Sequence, residues 1–227
     1  MKNQKLKNAL VISYVLISIL TFVVILLIPV TREWFKKLSG SHPYIMGFIK
    51  FALLATAGEL IAALIKTGKI TVPCKIVWRF VIWGVIGVWI SFMMGVYKTA
   101  SAYMMVTDKL PGDTNTVLFA LYTSVLMNTS FGPTFMAVHK ISDKMLELSA
   151  NKEKLSLKNA VLGVDWSNFV SFTILKTVPL FWIPAHFVTF LLPSEYQVIM
   201  AAALSIALGI ILSVGGRKKT ETKKEEN

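Results

Sequence analysis

Residues 8–31 read NALVISYVLISILTFVVILLIPVT, twenty-four positions without one charged side chain. A helix needs about 20 apolar residues to cross the hydrocarbon core of a bilayer. In lipid only a helix or a closed barrel can satisfy its own backbone. Outward from this stretch the pattern recurs. Residues 80–97, 114–138 and 196–216 carry no charge, 177–194 holds only His186 as an ionisable group, and 51–65 holds only Glu59. A soluble domain does not collect such runs in 227 residues. Hydrophobic residues make up 55% of the chain and mean hydropathy is +0.63, both high for a globular domain. The expected fold is all-α, a polytopic membrane helical bundle.

Six transmembrane helices are expected, at 9–30, 45–65, 77–97, 115–138, 172–192 and 196–214. They form one domain, 1–214, followed by a disordered basic tail, 215–227. The first run follows Lys2, Lys5 and Lys7 as a signal peptide would. Its apolar part is longer than the usual signal core, and no small-x-small cleavage site precedes Arg32, so a retained span is expected. The fifth run contains Pro179 and Pro184 and ends at Pro193, which predicts a kinked or broken helix, full or re-entrant. In the fourth, Gly132-Pro133 is expected to break the backbone ladder.

Net charge is +12. With six spans and both termini cytoplasmic, seventeen lysines and arginines fall on inside segments and five on outside ones. That is the positive-inside bias. It accounts for the basic balance without nucleic acid and sets cationic loops against anionic lipid headgroups. Residues 31–43 suit an interfacial stretch, and 139–170 should hold an amphipathic helix on the cytoplasmic surface. Lys50 and Lys176 lie inside runs and are expected to snorkel to the headgroups. The single cysteine, Cys74, excludes an internal disulfide and a cysteine metal cluster.

Small residues recur at four-residue spacing: Gly87, Ser91 and Gly95 in the third run, and Ala201, Ser205, Gly209 and Ser213 in the sixth. Gly58 and Ala62 flank Glu59 in the second, and Ser124, Asn128 and Gly132 mark the fourth. Such residues let helices approach closely, within one chain or in a homo-oligomer. Glu59 stands out, because an ionisable group at membrane depth is costly. It lines an aqueous path or serves as a proton or cation site, or else it is a structural partner for Arg79 or Lys176 or a protonated, hydrogen-bonded carboxyl. Asn128 and Thr129 make a polar patch in the fourth run, and His186 is either a gate element or a hydrogen-bonded packing residue. No hydrolase elbow, zinc-protease pair, phosphate loop or paired intramembrane aspartates occur, and the three histidines have no ligand spacing. Neither an enzyme, a metal nor a cofactor is expected.

From His42-Pro43 onward the order of features resembles the Mpv-seventeen/peroxisomal-membrane-protein family. Gly58-Glu59 stands where the family has Gly-Asp, and Arg79 precedes the next helix as an Arg does there. Gly95-Val96-Tyr97-Lys98 approximates its Gly-Pro…Trp-Tyr-Lys region. Asn128-Thr129…Phe131-Gly132-Pro133 stands for Asp-Gln…Phe-Ala-Pro. Trp182…Pro184…His186…Thr189-Phe190…Pro193…Tyr196-Gln197 and Leu212-Ser213 follow the closing signature. Residues 42–214 would be the family-like core and 1–41 an additional span. The departures exchange charged or amide groups for Asn, Thr and Gln.

The resemblance implies a channel-like or small-solute permeation role. Glu59, Asn128, Thr129, His186 and Arg79 are the pore-lining or gating candidates. Gly58, Gly87, Ser91, Gly95, Gly132, Pro133, Pro184, Ser205 and Gly209 are the helix-packing candidates. The alternative is a non-conducting scaffold or lipid-interacting subunit. The Lys-rich, cysteine-poor chain lacks an Arg/Ser-rich transit peptide, which points to a prokaryotic cytoplasmic membrane.

Overall fold

The apolar runs all become helices. The computed structural model describes the backbone from Lys2 to Glu225 and the side chains from Gln4 to Ile211. In chain order the helices are α1 (Lys2–Leu27), α2 (Pro29–Ser41), α3 (Pro43–Thr67), α4 (Ile76–Val106), α5 (Val117–Leu126), α6 (Gly132–Ala150), α7 (Leu157–Leu162), α8 (Trp166–Asn168), α9 (Ile183–Leu191) and α10 (Ser194–Glu225). A π-helical turn, Met127–Phe131, joins α5 to α6, and a π-helical stretch, Phe169–Trp182, joins α8 to α9. No strand occurs among the described residues. The chain divides into two compact units, Met1–Val88 with Val198–Asn227, and Trp89–Gln197.

Five helices are long and apolar enough to cross a membrane: Gln4–Leu27, Pro43–Thr67, Ile76–Val106, Trp166–Leu191 and Ser194–Ile211. The expected fourth span, 115–138, is not among them. It is helical, but Ser124, Asn128, Thr129 and Ser130 dilute its hydropathy. The expected break at Gly132-Pro133 is absent as well. Pro133 falls in the first turn of α6, directly after the π-helical turn. The wide turn before it absorbs the mismatch, so the helical path runs from Val117 to Ala150. The prolines of the next run are accommodated in the same way: Pro179 lies inside the π-helical stretch and Pro184 in the first turn of α9. The helix of α10 runs through the tail to Glu225, where composition predicts an unstructured segment. Lys and Glu are strong helix formers and continue it.

In the first unit, α1 leans on α3 through one four-residue stripe. Ser18 and Phe22 are buried, and the Tyr14 hydroxyl donates to the carbonyls of Ala52 and Leu53 at 3.3 and 3.1 Å. The rest of α1 exposes large apolar side chains, as a lipid-facing helix should. The pair α3 and α4 is antiparallel, with Gly84 and Gly87 against the Phe48 and Gly47 end of α3. A Cβ on Gly87 would run into the Gly47 carbonyl oxygen and come within 2.6 Å of Phe51 Cβ. Helices α3 and α10 run parallel. A Cβ on Gly58 would lie 3.1 Å from Ile206 Cα, and one on Gly209 would lie 3.4 Å from Ala62 Cβ.

Helix α2 is amphipathic, burying Phe35 and Ser39 while Trp34 is exposed. Its Lys36 sits 2.9 Å from Glu33 and holds that exposed carboxyl below its usual range. Lys50 does not snorkel to the surface. Helix α2 covers it, leaving it 2% exposed, with Nζ donating to Ser39 Oγ at 2.9 Å and lying 4.4 Å from the Phe35 ring centre. His42 joins α2 to α3, and Pro43 opens α3 at a position that needs no N–H.

In the second unit, α5 packs on α9 and the turn Met127–Phe131 on the stretch Phe169–Trp182, so the two paths are antiparallel. Trp89 packs edge-on to Phe131 at 4.9 Å, and Phe135 stacks on Phe131 at 5.9 Å. The surface segment after α6 includes α7, whose N-cap Ser156 accepts from Asn159 N–H at 3.1 Å.

Candidate functional site

Two polar clusters form, one in each unit. In the first, α3 places Glu59 toward the start of α4. Arg79 Nη1 donates to both Glu59 oxygens at 3.3 and 3.4 Å, and Trp83 Nε1 donates to Oε1 at 3.0 Å. The two charged side chains are 14% and 18% exposed. Arg79 Nε also donates to the Cys74 carbonyl at 3.0 Å, tying the loop before α4 to the pair. Of the alternatives open for Glu59, the geometry gives the Arg79 partner. Trp83 was missed, although it lies four residues from Arg79 and therefore on the same helix face. The cluster supplies a neutralised carboxylate with its oxygens engaged.

The second cluster joins the turn Met127–Phe131 to α9. Asn128 is 2% exposed and His186 8%. Asn128 Nδ2 donates to the Ser124 carbonyl at 2.8 Å, and Ser124 Oγ donates to the Ile183 carbonyl at 2.7 Å. His186 Nδ1 lies 2.9 Å from Asn128 Oδ1. A carbonyl oxygen only accepts, so the amide group facing Ser124 must be the NH2. That leaves Oδ1 facing the imidazole, and Nδ1 must carry the proton. Nε2 of neutral His186 therefore keeps its lone pair. Trp182 stacks on the ring at 5.3 Å. The expected result in selective nitrogen-15 spectra of the histidines at neutral pH is a protonated Nδ1 for His186. Asn128→Leu should abolish that preference. A protonated Nε2 in the parent protein would contradict the network.

Thr129 joins neither cluster. It is exposed, and its hydroxyl donates to the Val125 carbonyl of its own helix at 2.7 Å. Thr123 and Thr189 are fully buried and bond back to Phe119 and Ala185. Among the packing candidates, Gly58, Gly87 and Gly209 sit at close helix contacts. Gly132 is buried in ordinary contact, 4.0 Å from Asn128 Oδ1 by its Cβ position. Ser91 is half-buried, and Ser205 Oγ donates to the Ala202 carbonyl at 2.6 Å. Pro133 and Pro184 serve as helix-opening residues. Gly95 meets no neighbouring helix: among the described residues, no atom outside its own stretch of helix lies within 4 Å of its Cβ position. Each four-residue step drifts about 40° around a helix of 3.6 residues per turn, so the stripe has rotated away by its third member.

No protein-family model, curated protein or solved structure matches this chain.

Proposed function

We propose that this is a multi-pass membrane protein with a channel-like role in the permeation of small solutes. Its five apolar helices support membrane embedding. The observation that carries the permeation reading is the Ser124–Asn128–His186 network. It puts buried polar groups between two otherwise apolar helices, both of which depart into π-helical geometry, a departure frequent at functional sites. Asn128 is engaged on both its amide atoms, and on this reading that is the closed state. Breaking the network should favour opening. The Mpv-family resemblance points the same way.

Six spans with both ends cytoplasmic belong to the same proposal. Two observations support a crossing by 117–138. Its helix packs antiparallel along Phe169–Leu191. In addition, α3 and α10 run parallel, which requires an odd number of crossings between them. Helix α4, Val117–Val138 and Trp166–Leu191 supply three. Cysteines placed at Asn3 and Lys223 in a Cys74→Ser background should both label from the cytoplasmic face, and labelling from opposite faces would refute six spans.

In liposomes the protein should raise small-solute flux above that of empty vesicles. His186→Leu should raise it further, about tenfold, as one hydrogen bond of roughly 1.4 kcal/mol leaves the closed state. Flux indistinguishable from empty vesicles for both proteins would sink the permeation reading. The non-conducting reading, a scaffold or lipid-interacting subunit, is favoured by Glu59: its charge is met by Arg79 and Trp83.

A further inference from the structure

One indole N–H of the second unit is buried without an acceptor. It belongs to Trp182, a side chain 9% exposed. A buried donor left unmade costs stability, and native proteins keep few of them. Trp182 closes the π-helical stretch, four residues before His186. It stacks on the His186 ring at 5.3 Å with 23° between the planes. Asn128 Oδ1 holds the Nδ1 side of the same ring at 2.9 Å. Trp182 and Asn128 thus flank one imidazole. The first carries an idle donor, and the second carries an acceptor that comes free whenever its contact with His186 opens.

The elements of this unit bring no charge to the two groups. Residues 114–138 hold no charged side chain. Within Trp166–Leu191 the one lysine, Lys176, is exposed, while the next two residues, Thr177 and Val178, are buried. The stretch 89–106, whose Trp89 packs on Phe131, contributes Lys98 alone. Lys98 Nζ donates to Ser194 Oγ at 3.2 Å, with Glu195 as a nearby countercharge. On α6 the first ionisable group is His139, 3.6 Å from Asp143 and eleven residues beyond Asn128. Eleven residues are about 16 Å along a helix.

Such a lining discriminates by charge. An ion stripped of water here meets no countercharge, and its desolvation goes unrepaid. A neutral solute loses only its hydrogen bonds to water, and two replacements are on offer. The Trp182 N–H serves an oxygen, and Asn128 Oδ1 serves a hydroxyl proton. A hydroxyl group takes both roles at once. We propose that the path passes small uncharged hydroxylic solutes, the chemistry of short polyols, and excludes ions of the same size, with Trp182 as the donor that meets the solute. This substrate class rests on the permeation reading above. A donor kept for a passing solute is idle in the closed state, which is how Trp182 stands.

The test uses liposomes carrying the purified full-length protein and three probes of one size: glycerol, glycerate and 2-amino-1,3-propanediol. At neutral pH these are uncharged, anionic and cationic. Osmotic water flux is measured beside them. Protein-dependent glycerol flux should exceed that of either charged probe on the order of a hundredfold, the effect of a charge desolvated without a partner. Trp182→Phe keeps an aromatic ring and removes the N–H. It should lower glycerol flux about fivefold, the worth of one hydrogen bond. Its melting temperature should stay at the parent value or rise, because the donor it removes has no partner in the folded protein. Charged probes that pass as fast as glycerol, water flux without glycerol flux, or a Trp182→Phe variant that passes glycerol like the parent would each overturn the assignment. Fast charged probes leave the permeation reading in place, whereas no flux of any probe takes both down.

Discussion

Gly87→Val should cost the protein about 3 kcal/mol or more and lower its melting temperature by roughly 6–12 °C. The added side chain would point at the Gly47 carbonyl oxygen and the Phe51 Cβ, both on or next to the α3 backbone. A backbone cannot rotate aside as a flexible side chain can, so α3 and α4 would have to separate. Separation strips cover from Phe51, which is 2% exposed, and from the neighbouring Ala52 and Ala55. It also lengthens the Arg79–Glu59 contact between the same two helices. Thermal unfolding in detergent, followed by circular dichroism, reads the effect. Gly95→Val provides the internal comparison: with open space around its Cβ position it should stay within about 0.5 kcal/mol of the parent. If Gly87→Val melts with the parent, the close approach of the helices is wrong.

The second large effect concerns Arg79. Arg79→Ala leaves the Glu59 carboxylate in a membrane-spanning helix with Trp83 but without its cation. Removing one member of a largely buried ion pair costs about 3–5 kcal/mol, because the remaining charge is desolvated and uncompensated. Glu59→Gln together with Arg79→Gln should recover most of that loss, since an amide can still accept from Trp83 and two neutral side chains need no counter-charge. The pattern to look for is a single variant much less stable than the double one. Equal stability of Arg79→Ala and the parent would mean that Glu59 is solvated by water instead of by Arg79.

The helices were legible because lipid imposes one requirement, an unbroken apolar stretch, and residues such as those of 8–31 meet it without ambiguity. The Glu59–Arg79 alternative was legible for a related reason: a lone acid at depth demands a partner, and few cations were near. The remaining features depend on geometry that periodicity does not encode. Gly132-Pro133 reads as a break in any pattern based on 3.6 residues per turn, yet a wider turn carries the helix through it. Lys50 reads as a snorkelling lysine until α2 folds over it. The partnership of Asn128 with His186 joins residues 58 positions apart, and only the packing of α5 on α9 brings them together. Gly95 shows the opposite failure, a good motif whose last member has turned away from its neighbour.

The wide turn at Met127–Phe131 has one more consequence. Such a turn is an α-helix holding one residue too many, and its ladder is stretched to accommodate the surplus. Elsewhere in a spanning helix, losing a residue swings everything downstream by about 100° and scrambles the lipid and protein faces. Here a deletion would restore ordinary spacing, with α5 and α6 keeping the faces they now present. Length variation in this helix should therefore be tolerated at the very place where its polar side chains lie, so that those side chains can be reshuffled while the frame around them stays fixed.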